Sequence, residues 1–156
     1  MQIMTLVMVV RGGRVLLGRK KTGAIGRGLL NAPGGKCNPG ESPLTCAVRE
    51  TKEELGLVLD PRHLECVAQI TFYTGGVPDF FVHVFRTIQA NGTPQDTADM
   101  EPVWYAIDTL PTGQMHESDC LWFARAANGE RFCAGVHYRE RAKGFERIEF
   151  APYPSG

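Results

Sequence analysis

Within the run GKCNPGESPLTCAVRETKEELGL, residues 35–57, stand Glu41, Arg49, Glu50, Glu53 and Glu54. At about 100° per residue, Glu50, Glu53 and Glu54 share one side of a helix. Carboxylates at i, i+3 and i+4 repel one another and weaken an isolated helix. A charge run is most often a solvated helix face. A hard divalent cation gives this cluster a stronger reason to exist, because it removes the repulsion. Mg²⁺ and Mn²⁺ take oxygen ligands and suit phosphate substrates. Arg49 lies one turn before Glu53, where it can brace a carboxylate and aim it. The chemistry these types and spacings offer is therefore the handling of phosphate through a divalent ion.

The helix that positions them carries its own signals. Ser42 is the N-cap and Pro43 fills the first helical position, where a missing N–H costs nothing. Gly56 supplies the left-handed residue that ends the helix. Leu44, Val48, Thr51 and Leu55 recur at helical spacing and face a core. Ahead of the helix, residues 2–10 and 14–20 form a hairpin around Gly12-Gly13. Residues 20–35 are a loop kept irregular by its glycines and Pro33. This loop also holds Lys20, Lys21, Arg27 and Asn31. Asn31 can pair with a base edge through donor and acceptor together, although a lone loop Asn is usually a turn former. Gly34-Gly35 lets backbone approach a metal or phosphate closely.

After the helix, Leu64 to Tyr73 and Asp79 to Ile88 are strands around a turn at 74–78. Phe81 or Phe85 fills core by alternation. Phe72 is open to either a pocket or the core, and His83 is a strand histidine. Residues 91–100 are a polar loop, and Glu101 to Ile107 is another strand. Asp99, just ahead of it, offers one more carboxylate from a separate element. Ser118 caps a second helix, Asp119 to Ala127. Its Leu121, Trp122 and Ala124-Arg125 divide between a core face and a solvent face, and Asn128-Gly129 stops it. Residues 131–140 and 144–150 alternate as a final hairpin. Strands flanking two helices predict an α+β fold, layered α/β/α.

The run 35–57 resembles the signature of the Nudix hydrolases. Gly35, Glu41, Arg49, Glu50, Glu53, Glu54, Gly56 and Leu57 match it. Thr51 departs, because the family prefers an aliphatic residue there, and a small packing loss is expected. Beyond the signature, TLVMVV, RVLLGRKK, LNAPGGK, HVF, DMEPVW and the late Met-X-X-X-Asp-X-X-Trp-Phe look like the oxidised purine nucleoside triphosphatases, the mammalian-type MutT homologues. The likeness runs from about Thr5 to Trp122 and fades in the last thirty residues.

The resemblance implies a mixed β-sheet between helices. It implies hydrolysis of a nucleoside triphosphate, such as 8-oxo-dGTP, to the monophosphate and pyrophosphate with Mg²⁺ or Mn²⁺. It assigns metal binding to Gly34 through its carbonyl, Glu50, Glu53, Glu54 and Asp99. The family commonly has Glu at the Asp99 position, so the reach here is one methylene shorter. It assigns catalysis to Glu53 or Glu50 as the base, with Arg49 orienting carboxylates and Glu41 supporting the loop or an outer metal shell. It assigns substrate contacts to Thr5, Lys20, Asn31, His116 and Asp119, and Gly35 and Phe72 join them as candidates from their own places in the loop and strand. His116 stands where the subfamily has a stacking Trp, and Ser118 where it has a second aspartate. Both departures bear on base specificity, since His stacks less area than Trp. Other substrates in view are a dinucleoside polyphosphate, dihydroneopterin triphosphate or an ordinary dNTP. A non-catalytic nucleotide sensor is the alternative outside enzymes, and such relatives usually lose signature carboxylates.

Composition narrows the partners. The 156 residues suit one domain, 1–156. Lys plus Arg and Asp plus Glu are 17 each, so the footprint of a protein that grips polymeric nucleic acid is absent. A small-molecule nucleotide needs only local charge. Five cysteines without CxxC spacing argue against zinc and a disulfide framework, and the default compartment is a reducing cytoplasm. The apolar N-terminus lacks the basic leader of a signal peptide. No run approaches the roughly 18 apolar residues that cross a membrane. A monomer is expected.

Overall fold

Alternation in the first strand decides the layering. In β1 (Gln2–Arg11), Val7 and Val9 enter one buried cluster while Met8 and Val10 enter another. Side chains two apart share a face, so a core lies on each side of the strand. Helix α1 (Pro43–Leu55) covers the first side through Ala47 and Leu55. Helix α2 (Asp119–Ala127) covers the second through Trp122, Phe123, Ala126 and Ala127. The result is the layered α+β arrangement that the sequence predicts. It is seen in a computed structural model that describes residues 1–155.

The remaining strands are β2 (Arg14–Lys20), β3 (Leu30–Asn31), β4 (Gly34–Lys36), β5 (Glu65–Thr74), β6 (Val77–Thr87), β7 (Met100–Ala106), β8 (Phe132–Glu140) and β9 (Lys143–Ala151). The main path of the sheet runs β3-β2-β1-β6-β5-β8-β9, with β4 on β1 and β7 on β2. Pairing is mixed: β1 with β6 and β5 with β8 are parallel, and the rest are antiparallel. The hairpin of β1 and β2 is paired only at Val10–Val15 and Arg11–Arg14. The strands then part, β1 pairing with β4 and β2 with β3 and β7. No helix among the described residues is long and apolar enough to cross a membrane.

Residues 20–35 are not wholly irregular. Leu30 is fully buried and pairs with Arg19, and Gly34 pairs with Leu6, so two short strands pin the ends of the loop. Glycine density hid them, because it marks the bends rather than the anchored residues between. Short 3-10 turns at Pro61–His63, Ile107–Thr109 and Thr112–Gln114 were also not legible from pattern.

Thr51 is fully buried, and its hydroxyl donates to the Ala47 carbonyl at 2.8 Å. That bond satisfies the group but adds little, since the carbonyl is already in the helix ladder. Thr51→Val exchanges the hydroxyl for a methyl in the same space. It is expected to stabilise the protein by about 0.5–1 kcal/mol in urea unfolding, with kcat unchanged.

Candidate active site

Helix α1 starts where its caps dictate. Ser42 Oγ accepts from Thr45 N at 3.1 Å, Pro43 follows, and Gly56 closes the helix at φ 64° with its N–H on the Lys52 carbonyl. This frame sets Arg49 at the centre of the acidic group. Its Nε and Nη2 grip Glu41 at 2.7 and 2.8 Å, a bidentate pair. Its Nη1 reaches Glu50 at 2.8 Å and Glu53 at 3.1 Å, and Nη2 also meets the Lys36 carbonyl at 3.1 Å. The Arg49 guanidinium holds the Glu41 carboxyl down to about 2. Glu41 therefore fixes Arg49, and Arg49 aims the helix carboxylates.

Glu50 and Glu54 meet a different environment. Burial raises the Glu50 carboxyl above its usual range, against the pull of Arg49. Burial also pushes Glu54 up to about 7, opposed by the Gly34 N–H that it accepts at 2.7 Å, with the Glu50 charge adding to the rise. Glycine is required at both neighbouring positions. A Cβ on Gly35 would stand 2.5 Å from Glu50 Cδ, and one on Gly34, at φ 155°, would collide with the Thr5 carbonyl.

These groups open on a cavity of about 830 Å³. It is lined by Lys20, Asn31, Gly34, Gly35, Glu50, Glu54, Phe72, His116 and Asp119, with Thr5 in its wall. The structure thus brings together most of the residues expected from sequence. The Thr5 hydroxyl, however, is fully buried against Cys46 Sγ at 3.5 Å. Glu53 and Asp99 do not line the cavity. The Glu53 side chain is 54% exposed on the outer side of Arg49. Asp99 is exposed and accepts from Thr22 Oγ1 at 3.2 Å. Among the described residues, no three His, Cys, Asp or Glu side chains converge as a ready-made cation site. The reason is local: Arg49 draws Glu50 and Glu53 toward itself while Gly34 holds Glu54. The donor set still fits a hard divalent cation, because it offers carboxylate oxygens beside a glycine backbone that leaves room for them.

The other cavity groups are suited to a base. Asn31 Oδ1 accepts from Ala32 N at 2.8 Å, which leaves its amide N–H groups for a ligand. Burial and the Lys20 charge lower the His116 imidazole below its ordinary value. Asp119 is 3% exposed, accepts from His116 N at 3.2 Å, and is pushed up to about 7 by burial. Lys20 acts on both His116 and Glu54, so it stands between the two groups of residues. Ser118 was expected to cap α2, but its side chain makes no capping bond. It is fully buried, and its Oγ accepts from Trp122 Nε1 at 3.4 Å. Sequence reasoning missed Tyr138, Phe80 and Glu117. Tyr138 and Phe80 line the cavity, and Glu117 ties the last hairpin to it by accepting from the Gly144 and Phe145 N–H groups at 3.2 and 3.1 Å. Alternation with Ala134 and Val136 marks Tyr138 as inward-facing, but only once the strand's neighbours are known.

A curled mixed sheet between two helices, with an arginine-braced set of glutamates on the cavity wall, is the architecture of a Nudix-type hydrolase. The model of the NUDIX domain matches residues 2–125. The chain is 41% identical over 132 residues to the oxidized purine nucleoside triphosphate hydrolase of Danio rerio, covering 84% of this chain and 83% of that one. It is 36% identical over 141 residues to the Mus musculus protein of the same name, covering 90% and 88%. Among solved structures, a MutT protein from Bacillus halodurans superposes with a TM-score of 0.82 at 22% identity, over 99% of this chain and 100% of that one. A MutT NUDIX hydrolase from Burkholderia pseudomallei gives 0.66 at 24% identity, over 82% and 96%. At those identities the likeness establishes the fold alone. The chain belongs to the Nudix family and is a hydrolase. Nudix hydrolases generally need a divalent metal.

Proposed function

We propose that this chain hydrolyses an oxidised purine nucleoside triphosphate, such as 8-oxo-dGTP, to the monophosphate and pyrophosphate, acting as one domain that includes the final hairpin. The observation that carries this reading is a single cavity lined both by Glu50, Glu54, Gly34 and Gly35 and by Asn31, His116 and Asp119. One set suits a phosphate chain and its cation, and the other suits the edge of a base. The two vertebrate relatives bear the name of this activity.

Glu50, Glu53, Glu54, Asp99 and the Gly34 carbonyl would hold Mg²⁺, which when bound polarises the phosphate chain and acidifies water. Lys20 neutralises phosphate charge between the two sets of residues. Phe72 supplies apolar wall to the nucleoside. Glu50 lines the cavity, and we assign it the proton of the attacking water; Glu53 faces Arg49 on the solvent side. Arg49, fixed by Glu41, keeps Glu50 in place.

The test is pyrophosphate release across a panel of nucleotides with Mg²⁺ and with EDTA. The expected result is a kcat/KM for 8-oxo-dGTP at least about 10-fold above that for dGTP, abolished by the chelator. Faster cleavage of both dGTP and a dinucleoside polyphosphate would reject the assignment.

A further inference from the structure

Tyr138 is a buried phenol on the cavity wall, and the hydrogen bond its oxygen makes is an accepted one. It is 4% exposed and lines the cavity between β5 and α2. The Ser118 backbone N–H donates to its Oη at 3.0 Å, and the Ser118 hydroxyl lies beside that oxygen. Burial raises its pKa above the ordinary phenol value, so it is protonated at neutral pH. With its lone pairs facing Ser118, the hydroxyl has its proton left to give. Apart from the adjacent Ser118 hydroxyl, no described residue is placed to accept it.

The side chain has little freedom to move elsewhere. Its carbonyl accepts from Gly75 N at 2.9 Å, and its ring packs on Phe145 at 5.6 Å between centroids. Glu117 holds Phe145 and Gly144 from the loop that also carries His116 and Asp119. Arg141, near the hairpin tip, is bound to Asp79 through Nε and Nη2, at 2.8 and 2.6 Å. The hairpin is thus fastened on two sides, and Tyr138 is locked between them.

We propose that Tyr138 is a specificity-determining residue that reads the purine, donating its phenolic proton to a lone pair on the base edge. The inference rests on the substrate reading above and adds a rule to it. A base that turns a carbonyl oxygen or an unprotonated ring nitrogen to Tyr138 is accepted. A base that turns an amino group there sets donor against donor and is rejected.

The test measures binding of purine nucleoside monophosphates by calorimetry without metal, so turnover does not enter. Tyr138→Phe is expected to weaken the 8-oxo-dGMP Kd about 10-fold, leave the Kd of base-free ribose 5-phosphate unchanged, and raise KM for the triphosphate with kcat preserved. Replacement of Tyr138 by 4-aminophenylalanine restores a donor and is expected to recover most of the affinity, which a merely structural role would not predict. Wild-type affinity in Tyr138→Phe overturns the inference alone, as does an equal loss for ribose 5-phosphate. A wild-type protein that binds no purine monophosphate overturns the substrate reading and this inference with it.

Discussion

Glu50→Gln is expected to lower kcat by about 10³-fold while the fold persists. The amide oxygen of glutamine still accepts from Arg49 Nη1, now 2.8 Å from Glu50 Oε1, so the brace survives. The side chain is also nearly the same size, which matters where Gly35 leaves no slack. Burial already disfavours the ionised form of Glu50, so removing its charge does not cost folding energy. What is lost is an anionic oxygen that can hold a cation and take a proton. The measurements are steady-state kcat at saturating Mg²⁺ and a thermal melt of the same sample. A rate near that of wild type would remove Glu50 from the chemistry. The same exchange at Glu53 asks a different question. A loss of similar size would mean that this side chain leaves Arg49 and turns inward when the cation binds. A loss of less than about 10-fold would mean that its part is to neutralise Arg49.

Local signals carried far in this chain because they coincide with the site. The caps of α1 are residues of the motif itself, so the sequence located the helix to the residue and the carboxylates with it. Arg49 bracing Glu53 was legible from the i, i+4 spacing. Its tighter hold on Glu41 was not, because that pair closes a loop whose path depends on Gly40 and Ser42. The acidic face also proved less uniform than its spacing implies. One turn of helix places Glu53 in solvent and Glu54 under β4, and only the packed strand distinguishes them. The cavity wall away from the glutamates was the least legible part. His116 and Asp119 were found through resemblance and Asn31 also through its own amide chemistry, while Tyr138 and Glu117 depend on a hairpin folded back over α2 from late in the chain. Contacts of that sequence separation leave no period or spacing to read.

Replacement of Asp119 is expected to move function and stability in opposite directions. Burial pushes its carboxyl up to about 7 from an ordinary 3.8, with only the His116 N–H opposing. The folded protein therefore keeps this proton up to about pH 7, while the unfolded chain releases it near 3.8. Between those values the native state binds more protons than the unfolded state, so stability falls as pH rises. Below that window the group costs nothing, and above it the full penalty stands. Asp119→Asn keeps an oxygen for the His116 N–H and cannot ionise. The variant is expected to match wild type near pH 3.5 and to exceed it at pH 8 by on the order of 2–4 kcal/mol, roughly 5–10 °C in Tm. The gain has a functional counterpart. A carboxyl with its midpoint near neutrality can donate to a base or accept from it, whereas the asparagine presents a fixed amide. The kcat/KM for the oxidised purine triphosphate should fall about 100-fold, while kcat/KM for inorganic tripolyphosphate, which has no base, stays level. Equal losses on both substrates would place Asp119 in the support of the phosphate site. A melting curve with no pH-dependent difference between the two proteins would mean that its carboxyl is not buried in the charged form.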